Sequence, residues 1–187
     1  MAKSNLNAFD DWADTNKLFV RSEDQQGVAD AYSEWWRATT GKPLTALVEP
    51  DTPFVGRPWR KGSVAPAYGG FVTVITEASL LSRRQVLDLA RHISRVLSAL
   101  VIVAPRAAEG AKWGYAVFEA GTVVFAQNVD DNLDEPFVKS QGKAWLTAMN
   151  IRPSGWVFDE ICQVIGLRVW EINPKDKYTY YSMDERP

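Results

Sequence analysis

Few residues of this chain carry chemistry by type. His92 is the only histidine and Cys162 the only cysteine. A Ser-His-Asp triad would have to be built on His92, and no nucleophile motif points toward it. His92 falls on a strongly helical segment beside Asp88 and Arg95, off the apolar stripe. The plain reading is an exposed i,i+4 pair with Asp88. Cys162 falls on the apolar side of another helical segment, where a buried inert thiol is expected. One cysteine and one histidine exclude the usual zinc sets of several Cys or His ligands, and no cofactor is expected.

Two charged segments remain. Asp130, Asp131, Asn132, Asp134 and Glu135 begin like a calcium loop, with oxygen donors at positions 130, 132 and 134. The glycine that such a loop needs at its sixth position is Glu135, and the bidentate glutamate of its twelfth is Gln141. A solvated acidic loop, free to meet a basic partner, is therefore expected instead. The second segment is Gly56-Arg57-Pro58-Trp59-Arg60-Lys61-Gly62. Arg57 and Arg60 could clamp a phosphate or carboxylate, and Trp59 could stack on a flat ligand. The plain alternative is a covering loop with its tryptophan on the core and its charges in water. These two segments supply the candidate partner-binding residues: Arg57, Trp59, Arg60 and Lys61, with Asp130, Asp131, Asp134 and Glu135.

The elements that must position them are unevenly legible. Residues 1–21 read as an N-terminal arm or short helix. Ser22 is a plausible N-cap for a helix over 22–41, with Val28, Tyr32, Trp35 and Trp36 on one arc and Gly41 as its left-handed end. Residues 42–70 are dense in Pro and Gly and read as a long loop, with a short strand admitted at 44–48. A strand is expected over 71–76. Ser82 with Gln85 fits a capping box, and Val86, Leu89, Ala90, Ile93, Val96 and Leu97 repeat at helical spacing. A strand over 100–104 follows. Then comes a hairpin, 113–119 with 122–127, around Ala120-Gly121. Alanine suits the positive φ of a type I′ turn poorly, so a glycine-bulged loop is expected there. Helical turns over 144–149, a helix bearing Phe158, Ile161, Cys162 and Ile165, and a strand over 167–172 complete a 71–172 core. Residues 173–187 form a polar tail whose tyrosines could dock.

This order suits an α+β fold: an antiparallel or mixed sheet with helices on one face. It is related to a ferredoxin-like order with an N-terminal helical extension. The 187 residues are read as one domain. The formal net charge of −2 offers no general attraction to nucleic acid or an anionic membrane. The first residues lack the apolar run of a secretory signal, and a lone cysteine suits a reducing cytoplasm.

Two functional classes fit. The first is a non-enzymatic module that binds another protein, such as a stoichiometric inhibitor or an immunity-like protein. Eight tryptophans support it, because any left at the surface would serve as interface anchors. The second is a small enzyme or ligand-binding domain, with an anionic-ligand site around Arg57 and Arg60 and carboxylates such as Glu119, Asp159 and Glu160 brought together by folding.

Overall fold

A computed structural model describes residues 15–49, 59–77, 80–104, 115–127, 136–152, 157–168 and 180–185. Their strands form one eight-stranded open sheet in which every pairing is antiparallel. In chain order the elements are β1 (Thr15–Arg21), α1 (Gln25–Thr40), β2 (Thr45–Glu49), β3 (Arg60–Val64) and β4 (Phe71–Glu77). There follow α2 (Arg83–Val96), β5 (Leu100–Ala104), β6 (Tyr115–Glu119) and β7 (Thr122–Gln127). The last are α3 (Pro136–Ala148), α4 (Val157–Ile165) and β8 (Tyr180–Asp184). Across the sheet the strands run β2-β8-β3-β4-β1-β5-β6-β7.

The mixed α+β class agrees with the sequence, but several placements differ. Residues 15–21 are a central strand rather than an arm, paired to β4 on one side and β5 on the other. Leu18 and Val20 enter one core and Phe19 the other, so this short run is buried on both faces and lacks the one-sided alternation of a surface strand. In the 42–70 segment β2 agrees with the short strand admitted at 44–48, but β3 is a second strand, so the segment is not one long loop. Pro43 stands before β2, and the Pro and Gly residues of 50–58 fall between the two strands in sequence. Part of the tail is β8, inserted between β2 and β3. The strand expected over 167–172 falls mostly outside the described residues. A ferredoxin-like order is not confirmed: the strand between β4 and β5 is β1, which precedes both in the chain, and the hairpin after β5 continues outward as β6 and β7. The helix after β1 packs on the first sheet face and is not a separate extension.

Helices cover both faces, not one. On the first face α1 and α2 meet Leu18, Val20, Val72, Val74, Val101, Val103 and Phe118. On the second, Leu146 of α3 and Ile161, Cys162 and Ile165 of α4 meet Phe19, Ile102, Val117 and Phe125. Alternation along β1, β4, β5 and β6 serves both layers at once.

Local signals explain the helix ends. α1 starts two residues later than Ser22 suggests: Asp24 is the N-cap and accepts from the Gly27 amide at 2.9 Å. Ser22 instead accepts from the Asp24 amide, fixing the approach to the helix. Gly41, at φ 76°, closes α1 with its amide on the Arg37 carbonyl, as expected. The Ser82–Gln85 capping box of α2 forms reciprocally.

The β6–β7 turn is a correction. Ala120 and Gly121 both have positive φ, 47° and 81°, the two-residue type I′ pattern. The bulge lies instead within β7, where Val124 is the extra residue between Val123 and Phe125. The turn is held by tertiary contacts of Gly121. Gly121 donates to the Ser94 hydroxyl at 3.1 Å, and a Cβ on Gly121 would stand 2.8 Å from Arg95 Cβ. The turn is pressed onto the end of α2, and that packing outweighs the strain of one residue.

Candidate functional site

Three groups of side chains are placed where they could act. The first surrounds the start of β3. Arg60 is buried, and its Nε lies 3.8 Å from Asp184 Oδ1 at the end of β8, with side-chain exposures of 7% and 0%. Asp184 also accepts from the Ser182 hydroxyl at 2.5 Å. Arg60 is therefore held inside the protein against a carboxylate of its own chain, and does not stand at the surface as half of an arginine clamp. Its neighbour Trp59 is 43% exposed. The Trp59 carbonyl accepts from the Glu185 amide at 2.8 Å, tying β3 to β8. Glu185 in turn receives Lys42 Nζ at 2.6 Å. That bond, more than any other influence, holds the Glu185 carboxyl below the usual carboxylate range, with the charge of Lys61 adding to it. Lys61 presents its carbonyl to the Tyr32 hydroxyl at 2.7 Å. Trp59, Lys42, Lys61 and Glu185 thus gather at one end of the β3–β8 ladder.

The second group lies on the second face of the sheet. Where α3 and α4 pack, over β5, β6 and β7, that face is apolar. Toward β8 it turns polar. Lys17, Ser63, Thr73, Ser182 and Asp184 alternate with the first-face residues Leu18, Val64, Val74 and Met183, and all are buried. Ser63 stands opposite Ser182 on one side and Ile75 on the other, and Ile75 stands opposite Lys17. Burial lowers the Lys17 pKa to about 8. Sequence reasoning missed this lysine because it was assigned to an arm. The signal that could have found it is the Leu18-Phe19-Val20 run, a strand signature with Lys17 at its edge.

The third group is His92. It is not an exposed partner of Asp88. It sits between α1 and α2, with Nε2 3.9 Å from Glu34 Oε2 and Nδ1 3.3 Å from Arg95 Nη2.

Of the remaining expected residues, Cys162 is fully buried in the second core. Arg57, Asp130, Asp131, Asp134 and Glu135 lie outside the described residues. Glu119 is exposed and accepts from the Trp145 indole at 3.1 Å. Trp35 and Trp36 are core residues, forming a cluster with Tyr32. Among the described residues no group of three or more His, Cys, Asp or Glu could hold a metal ion, and no helix is long and apolar enough to cross a membrane.

No family, no curated protein and no solved structure matches this chain. Its function must therefore be argued from these three groups of residues.

Proposed function

We propose that this protein acts by binding another protein, with Trp59 as the aromatic anchor of the docking surface and Lys42, Lys61 and Glu185 as its charged rim. The observation that carries this reading is the exposure of Trp59. Among the described tryptophans, Trp35 and Trp36 are buried and Trp145 is partly covered, whereas Trp59 stands out at 43%. A large aromatic left in water loses the stabilisation that burial gives its relatives. Interfaces recover that loss, and tryptophan leads their energetic hot spots. The support beneath Trp59 is rigid: its backbone is bonded to β8, and the next residue is fixed by the buried Arg60–Asp184 contact. A rigid anchor loses little freedom on docking. An inhibitor or immunity-like protein is the form of binding module we favour, since such proteins work by occupancy and need no catalytic group.

The test is affinity capture from the native host, comparing the natural chain with Trp59→Ala. A stable equimolar partner is expected with the natural chain. Truncating a hot-spot tryptophan costs about 2 kcal/mol or more, a loss of roughly 30-fold in affinity seen mainly as faster dissociation. An unchanged melting temperature for Trp59→Ala separates docking from folding. Capture of the same partner with the same dissociation rate would remove Trp59 from the interface.

A second reading has one specific observation behind it. The buried polar half of the second sheet face holds Lys17, an amine whose pKa burial lowers to about 8. If the protein is instead a small enzyme or ligand-binding domain, this face is a better seat for an anionic ligand than the Arg57–Arg60 pair. Turnover of a small molecule that is lost in a folded Lys17→Met variant would favour it over docking.

A further inference from the structure

The side chain of His92 retains 11% of its exposure, and its buried Nε2 has no well-formed hydrogen bond. Helix α1 presents Glu34 to that nitrogen at 3.9 Å, too far for a hydrogen bond. Helix α2 presents Arg95, whose Nη2 lies 3.3 Å from Nδ1. Guanidinium nitrogens only donate, so Nδ1 is the acceptor and the neutral ring carries its proton on Nε2. Asp88, one turn earlier on α2, faces solvent and does not contribute.

Adding a proton turns Nδ1 from acceptor to donor and gives the whole ring a positive charge. Nδ1 then bears a hydrogen and meets the Arg95 donor as donor against donor, charge against charge. Nε2–H then carries positive charge toward the Glu34 carboxylate, which is more than half exposed and able to swing inward. We propose that His92 is a pH-operated clasp between α1 and α2, exchanging its Arg95 contact for a Glu34 ion pair when it is protonated. Burial is the largest influence on the ring and opposes protonation. Glu34 favours it, Arg95 opposes it, and the Ala31 backbone favours it. The exchange therefore takes place on the acid side of the ordinary imidazole range of about 6.5. The helices it joins carry Trp35, Trp36 and part of the first core, so the exchange is expected to be felt beyond one side chain.

The test is clean because His92 is the only histidine. One set of imidazole carbon-bound proton resonances is followed by NMR against pH, together with the indole N–H resonance of Trp35. The imidazole midpoint is expected below 6.5, and the Trp35 signal should shift with the same midpoint. Glu34→Gln should lower the midpoint further, and Arg95→Leu should raise it. His92→Gln, checked for folding by circular dichroism, should leave the Trp35 signal flat over the same range. An imidazole midpoint at or above 6.5 would overturn the clasp. A Trp35 signal that ignores the titration, or a midpoint unmoved by Glu34→Gln, would do the same.

Discussion

Asp184 has no exposed surface and faces the Arg60 guanidinium across 3.8 Å. Removing one member of such a pair leaves the other charged in a dry setting, which costs about 3–5 kcal/mol. Asp184→Ala should therefore show a loss of that order in urea unfolding. The double variant Arg60→Met with Asp184→Leu should recover most of it, because two apolar side chains need no partner. Lys17 gives a different signature. Its folded pKa of about 8 lies below the 10.5 of an unperturbed lysine, so between those values the unfolded chain binds more protons than the folded one. Stability from this group thus rises as pH climbs from about 8 to about 10.5, and is lost again as pH falls through 8. The whole span corresponds to roughly 3 kcal/mol at most. Lys17→Met should flatten that part of the stability–pH curve relative to the natural chain. A parallel pair of curves would mean that Lys17 is charged and well compensated where it stands.

Among the elements, α1 and α2 were legible because their apolar residues recur every three or four positions and their ends carry known cap chemistry. Trp35 is an example: its place on the stripe beside Val28 and Tyr32 predicts burial, and it is buried. Trp35→Ala should cost about 3–5 kcal/mol in chemical denaturation, as large-to-small core changes do. A loss below 1 kcal/mol would show that the aromatic cluster with Tyr32 and Trp36 collapses to fill the space. The strands were less legible, for physical reasons. β1 is buried on both faces, which erases the period-two pattern that marks a strand. β3 carries Gly62, a residue that weakens any strand reading. Its presence has a tertiary cause: a Cβ there would come within 2.8 Å of Tyr32 Cε1. The helix and the strand must be seen together before that glycine makes sense. Trp59 was legible as a candidate by type, but its exposure follows from the β3–β8 ladder, which no local pattern announces.

At the scale of the molecule, the sheet protects its ends. The β2 edge is only five residues long, preceded by Pro43 and followed in sequence by Pro50. The β7 edge is bent by its bulge and backed by α3, where Gly142 lets the Phe125 ring approach closely. Short, proline-bracketed or bulged edges resist pairing with other chains. This is why the proposed docking surface is placed on Trp59 and its charged neighbours, with no added strand. Two helical layers also divide the buried polar strand residues unevenly: the first face holds the bonded Asn16–Thr76 pair, while Lys17, Ser63, Thr73, Ser182 and Asp184 crowd the far face. No sequence period announces that division, because it depends on which strands become neighbours.

The place of β8 also imposes a schedule on synthesis. Among the described residues β2 pairs with β8 alone, and about 130 residues of chain lie between them. A ribosome adding 5–20 residues each second would leave β2 waiting roughly 7–26 s for its neighbour. During that interval β3 also has one flank open, and Arg60 has been made but Asp184 has not. Until β8 is made, the short length of β2 and the proline before it, Pro43, are the features that limit wrong pairings at that flank.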